Sequence, residues 1–138
     1  MVRRTERQAR LWRNKLERFR KIQREIEENA PDILHSKNFR QMKEYIQHGN
    51  VNVNLHVMTV ARYSVALTDF LHISCNRREL IRGALLHDYF LYDWHIPDKE
   101  EPHRLHGFFH PGIALRNASK EYMLSEREKN IIKRHMWP

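Results

Sequence analysis

The sequence has little of several features that define particular fold classes. Its single cysteine, Cys75, has no partner in the chain for a disulfide, which fits a reducing compartment. Four glycines, five prolines and no sustained alternation of apolar and polar residues predict helices joined by short loops, with no strand. There is no apolar run of about 18 residues and no apolar segment behind the basic N-terminus. We therefore expect a cytoplasmic, all-α protein without a membrane partner.

Length and charge indicate one domain with a basic extension. The 138 residues suffice for one compact core. The formal net charge is +8, and residues 1–24 contain ten Lys or Arg with only Glu6 and Glu17 as acids. We predict an N-terminal basic helix over 1–30 and a helical domain over 31–138. We expect that domain to be C-terminally incomplete, because the sequence stops next to an exposed apolar residue.

The basic segment has an apolar stripe. Trp12, Leu16, Phe19, Ile22 and Ile26 recur at spacings of three and four, which predicts an amphipathic helix over about 4–28. In the more common arrangement, this stripe packs onto the domain and the charges are solvated. Alternatively, the Lys and Arg residues bind nucleic-acid phosphates while Trp12 and Phe19 stack on bases.

Local signals place the remaining helices. Gly49 is suited to end a helix over about 37–48, and the next four segments are bounded by capping residues or prolines. These are a helix from Asn54 to Leu71, a helix from Asn76 with Glu79 to about Phe90, a helix from Pro111 to before Ser125, and a helix from Ser125 with Glu128 to His135. Residues 93–102 are predicted to form a loop.

Candidate metal ligands lie near the ends of these predicted helices. Each of the histidines has a simpler explanation when taken alone, such as a buried histidine, a turn cap or a favourable charge at a helix C-terminus. Together they can converge at one end of an antiparallel bundle, and imidazole and carboxylate groups are good ligands for divalent ions. The candidates are His56, His87, Asp88, His110 and His135.

Four segments containing these residues resemble the HD superfamily of metal-dependent phosphohydrolases. They are Asn54–Ala61 (NLHVMTVA), Gly83–Tyr89 (GALLHDY), Phe109–Ala114 (FHPGIA) and Ile132–His135 (IKRH). The resemblance covers residues 50–138 and implies an HD-like helical bundle.

The resemblance also implies a ligand set. His56, His87 and Asp88 would bind a first ion, and Asp88 would bridge to a second ion bound by His110 and His135. The ions would be Mn, Fe, Ni, Zn or Mg, one or two in number. Water activated by the metal, with Asp88 as a catalytic group, would hydrolyse the phosphoester of a nucleotide or another small phosphorylated metabolite.

The chain departs from the family pattern at two places. No aspartate follows at the distal position that completes the first metal's ligands in the family. Leu91 stands where some subfamilies have a lysine or glutamate. Asp93 is nearby, and we consider it a candidate for holding the attacking water. The missing aspartate favours one alternative function, a degenerate HD domain that binds a nucleotide or metal as a sensor without turnover.

Further polar residues are candidates for supporting roles. His106 could bind the metal or hydrogen-bond to a ligand, and His95 and His103 could line the mouth of the site. Candidates for binding the substrate phosphate are Arg62, Arg77, Arg78, Lys99, Arg104 and Lys133, although a solvated surface role is the more common one for each. Assembly into a homo-oligomer is compatible with the sequence.

Overall fold

The computed structural model describes the backbone of residues 2–90 and 106–136, and the side chains in these ranges except those of residues 2–4 and 106–109. The fold is all-α, as predicted, with one small hairpin. The helices are α1 (Val2–Asn29), α2 (Pro31–Leu34), α3 (Lys37–Gln41), α4 (Val53–Phe70), α5 (Arg77–Leu86), α6 (His106–Glu121) and α7 (Glu126–Arg134).

The expectation of no strand, with a helix over 37–48, is wrong. Helix α3 is followed by a 3-10 turn at Met42–Glu44 and then by β1 (Ile46–His48), which pairs antiparallel with β2 (Val51–Asn52). Gly49 has a φ of 55°, and it therefore serves the turn between the strands instead of ending a helix.

Capping side chains set several of the helix boundaries. Asn76 accepts a hydrogen bond from the backbone N–H of Glu79, and Ser125 forms a full capping box with Glu128, both as predicted. The predicted cap at Asn54 is wrong, because Asn52 caps α4 by accepting from the Leu55 N–H.

Two other predicted boundaries are also wrong. Helix α5 ends at Leu86 and not near Phe90, and α6 begins at His106, with Pro111 inside the helix. A cap can be recognised locally, whereas the exact end of a helix depends on its tertiary contacts.

The core lies between α4, α5, α6 and α7 and includes buried residues of α2, α3 and the 3-10 turn, and α1 packs on it through its C-terminal half. Ile22 and Ile26 are buried, but Trp12, Leu16 and Phe19 are 72%, 48% and 49% exposed. The expectation that the whole apolar stripe packs onto the domain is therefore wrong for Trp12 and Leu16, whereas the half-exposed ring of Phe19 packs against the guanidinium of Arg62 on α4.

Helices α5 and α7 approach each other closely and are joined by a buried ion pair. A Cβ atom at Gly83 would lie 2.8 Å from side-chain atoms of Ile131. The guanidinium of Arg82 donates to Glu128 at 2.8 Å and to Asp32 at 2.7 Å, and the side chains of Arg82 and Glu128 are both buried. These contacts fix α7 relative to α5, and so position the C-terminal end of α7.

Within residues 2–90 and 106–136, no helix has the length and apolar character needed to cross a membrane.

Candidate metal centre

The five predicted ligands come from four separate elements. His56 lies in the first turn of α4, His87 is the C-cap of α5 and Asp88 follows it, His110 lies in α6, and His135 is the C-cap of α7. The structure brings all five side chains together around the carboxylate of Asp88. This convergence is what the sequence predicted, although His110 lies inside α6 and not ahead of it.

One oxygen of Asp88 faces the first pair of histidines. Its Oδ2 lies 3.3 Å from Nε2 of His56 and 3.3 Å from Nε2 of His87. The two Nε2 atoms are 3.2 Å apart. These three side chains form one group that could hold a metal ion.

The other oxygen of Asp88 faces the second pair. Its Oδ1 lies 3.2 Å from Nε2 of His110 and 3.2 Å from Nε2 of His135. The two Nε2 atoms are 2.8 Å apart. A second three-ligand group therefore shares Asp88 with the first.

Backbone carbonyls set the protonation of two rings. The Nδ1 atom of His87 lies 2.7 Å from the carbonyl oxygen of Ala84, and that of His135 lies 2.8 Å from the carbonyl oxygen of Ile132. A carbonyl can only accept, so Nδ1 carries the hydrogen and Nε2 of the neutral ring presents its lone pair. Lone pairs facing one another and a carboxylate repel unless a cation lies between them.

The geometry and donor chemistry fit divalent ions. Metal–ligand bonds of about 2.0–2.2 Å place adjacent ligand atoms roughly 2.8–3.6 Å apart, and the spacings within the two groups run from 2.8 to 3.3 Å. No hydrogen bond from the described residues reaches the buried Oδ1 of Asp88. Uncompensated buried oxygens are rare, and a cation shared with His110 and His135 would satisfy this one.

The imidazoles keep Asp88 ionised. Burial raises the pKa of its carboxyl, but the close contacts with the four imidazoles lower it by more, so the pKa is far below its usual range. For His135, burial lowers the pKa, while Asp88 and the Ile132 carbonyl raise it more, and the net shift is upward.

Gln47 is a site residue that the sequence reasoning missed. It lies on β1, it is only 7% exposed, and its Nε2 donates to Oδ2 of Asp88 at 2.9 Å. Glutamine is usually a surface residue, and this one lies on a strand that was not predicted, so no sequence signal pointed to it.

The structure gives several other candidates different partners. Arg62 donates to Oε1 of Gln23 at 3.1 and 2.9 Å, and Lys133 is exposed on α7. Arg77 forms ion pairs with acids on α1 and α4, and Arg78 donates to a backbone carbonyl of α1. The side chain of His106 lies outside the described residues, as do Asp93, His95, Lys99, His103 and Arg104.

The described residues thus assemble four imidazoles and one ionised carboxylate that could hold one or two divalent cations. The two groups draw on helices that are distant in sequence, so the fold is what creates them. No protein-family model, no curated protein and no solved structure matches this chain.

Proposed function

We propose that the chain is a metal-dependent phosphohydrolase of the HD type that acts on a nucleotide or another small phosphorylated metabolite. One observation carries the proposal: a single buried carboxylate is shared, one oxygen each, between two pairs of imidazoles. Paired divalent ions are a common arrangement for phosphoester hydrolysis. The resemblance of four sequence segments to the HD superfamily supports the same activity.

The side chains of the centre provide fixed imidazole rings and one negative charge. A divalent ion, when bound, lowers the pKa of a coordinated water and neutralises charge on a phosphoryl oxygen. Asp88 remains ionised and offers both of its oxygens. The Nδ1 contacts of His87 and His135 hold those rings in place before any substrate arrives, which limits the reorganisation needed for reaction.

Metal analysis and a substrate screen test the proposal. Purified protein is loaded with Mn²⁺, Ni²⁺ or Zn²⁺, its metal content is measured, and nucleotides and sugar phosphates are screened for phosphate release. We expect Asp88→Asn to lower turnover by at least about 100-fold, since it removes the shared carboxylate. Asp69→Asn is the matched control, because Asp69 pairs with Arg77 away from the centre.

The outcomes separate the alternatives. Bound metal without turnover of any phosphoester would support a metal-binding sensor and contradict the hydrolase. Wild-type protein that takes up none of the three ions would contradict both functions.

The exposure of Trp12 favours a second candidate function, nucleic-acid binding through α1. We expect the affinity for a single-stranded oligonucleotide, measured by fluorescence anisotropy, to fall steeply with salt and to weaken in Trp12→Ala. Affinity that does not depend on salt, or that Trp12→Ala leaves unchanged, would contradict this second function.

A further inference from the structure

The Gln47 amide is buried, and its nitrogen contacts the metal centre. Its Nε2 is 2.9 Å from Oδ2 of Asp88. An ionised carboxylate only accepts hydrogen bonds, so the NH₂ side of the amide must face it. The carboxylate therefore determines which way the amide is turned, and the carbonyl oxygen, Oε1, is left for another partner.

That carbonyl oxygen has no partner among the described residues. Oε1 of Gln47 is buried and accepts no hydrogen bond from any described residue. Because a buried amide oxygen loses its hydration on folding, nearly all such oxygens in proteins find a donor. The position therefore calls for a hydrogen-bond donor.

The side chains that meet at Oδ2 of Asp88 do not supply the donor. Oδ2 of Asp88 is shared by Gln47, His56 and His87. The carboxylate has no hydrogen to give, and Nε2 of His87 presents a lone pair because its Nδ1 is bonded to the Ala84 carbonyl. With an ion held by this group, Nε2 of His56 also has its lone pair engaged.

A water molecule at this group has the required chemistry. Water coordinated to a divalent cation is a strong donor, because the charge polarises its O–H bonds. It is also the molecule that must be oriented for attack on a phosphoryl group, since the direction of its remaining lone pair decides whether it faces the substrate.

We propose that Gln47 is a positioning residue for the attacking water. Its Nε2 holds Oδ2 of Asp88 toward His56 and His87, and its Oε1 accepts a hydrogen bond from the water at that group. This inference rests on the proposed metal-dependent hydrolase and adds a residue outside the predicted ligand set.

The test compares Gln47→Met with Gln41→Met. Methionine keeps the approximate volume of glutamine and removes both polar contacts. Gln41 is a matched control, because it lies in the same part of the chain and donates to the Tyr45 hydroxyl instead of Asp88. We expect Gln47→Met to lower kcat at least about 10-fold with KM unchanged, since one orienting hydrogen bond is lost, and Gln41→Met to change neither.

Fluoride binding to the Co²⁺-loaded protein provides a readout independent of activity. Fluoride replaces a coordinated water but cannot donate a hydrogen bond, so a carbonyl oxygen aimed at that position disfavours it. We expect Gln47→Met to bind fluoride at least about 5-fold more tightly than wild type, as followed in the Co²⁺ absorption spectrum. A purely structural role would leave fluoride affinity unchanged or lower it together with Co²⁺ affinity.

A second variant separates the two ends of the amide. Gln47→Glu keeps an acceptor oxygen and loses the donor to Asp88, so we expect it to exclude fluoride as wild type does. If Gln47→Met fails to fold, Gln47→Leu, which also removes both polar contacts, supplies the fluoride measurement with the same expected result.

The failures of the two proposals are distinguishable. Wild-type protein that binds no Co²⁺ overturns the metal-dependent function and this inference together. Wild-type turnover combined with wild-type kcat and fluoride affinity in Gln47→Met overturns the inference alone, as would tight fluoride binding by Gln47→Glu.

Discussion

Replacement of Gly83 by alanine tests how closely α5 packs against α7. A Cβ atom at this position would lie 2.8 Å from both Cδ1 and Cγ2 of Ile131 and 2.9 Å from its Cβ. The last of these atoms is attached directly to the backbone of α7 and cannot rotate away. Alanine at position 83 therefore pushes α7 outward, together with His135 at its end.

Two opposing effects determine the size of the change. Alanine is favoured over glycine inside a helix by about 1 kcal/mol, whereas forcing an extra methyl group into a packed core costs about 1–3 kcal/mol. We expect Gly83→Ala to change the free energy of unfolding by about 0–2 kcal/mol in the destabilising direction. Gly112 in α6 is the matched control, because a Cβ there meets no described atom within 4 Å.

Urea unfolding followed by circular dichroism measures both variants. We expect Gly112→Ala to stabilise by about 1 kcal/mol, so the difference between the two variants isolates the steric cost. In an Ile131→Ala background, Gly83→Ala should become less costly, with a coupling of about 0.5–3 kcal/mol. Equal stabilisation by both glycine replacements would refute the close approach of α5 and α7.

Three further predictions concern the ion pairs of Arg82 and the metal centre. Arg82→Met leaves the buried carboxylate of Glu128 without its ion-pair partner, so the free energy of unfolding measured with urea should fall by about 3–5 kcal/mol. Adding Glu128→Gln should recover part of this loss. An unchanged free energy of unfolding in Arg82→Met would contradict a stabilising role for the pair. Burial raises the pKa of Asp32, but its hydrogen bond with Arg82 lowers it below the usual value, so its contribution is present above its unfolded pKa and is lost as pH falls through the folded one. The stabilities of wild type and Asp32→Asn should therefore differ at neutral pH and converge as pH falls through the folded pKa of Asp32, and a gap that persists in strong acid would be inconsistent with this linkage. Zn²⁺ or Mn²⁺ at 100 times its dissociation constant should stabilise the folded protein by about 2.7 kcal/mol, which raises Tm by about 5–10 °C. EDTA should reverse this rise in Tm, and Asp88→Asn should not show it.

Features decided by neighbouring residues could be predicted from the sequence. The caps at Asn76 and Ser125 join a side chain to a backbone group three residues away, and such signals survive without knowledge of the fold. The meeting of His87, Asp88 and His135 with the other ligands followed from their places near helix ends. A bundle brings such ends together once its helices are antiparallel.

Features decided by tertiary contacts could not be predicted. Strands of three and two residues are too short to show an alternating pattern. Asn52 and Asn54 are equally suitable caps by type, and the choice between them depends on the hairpin, in which the Val53 N–H donates to the Tyr45 carbonyl. A local pattern contains no information about such a pairing.

Buried polar residues were the other class that sequence reasoning missed. Arg82 and Gln47 are residue types that usually lie on the surface, yet both are buried and hydrogen-bonded to acids. Their burial depends on partners that are 46 and 41 residues away in the chain. Because the sequence does not identify those partners, it predicts a solvent-exposed position for either residue.

The presence of only one carboxylate among the described candidate ligands affects how strongly the metal-loaded centre should bind anions. Two divalent ions would bring four positive charges against the single negative charge of Asp88, since neutral imidazoles add none. The loaded pocket would then carry a surplus of positive charge, which an anion from solution would balance. Orthophosphate, a product of the proposed reaction, should accordingly inhibit in competition with substrate, and neutral analogues of similar size should not.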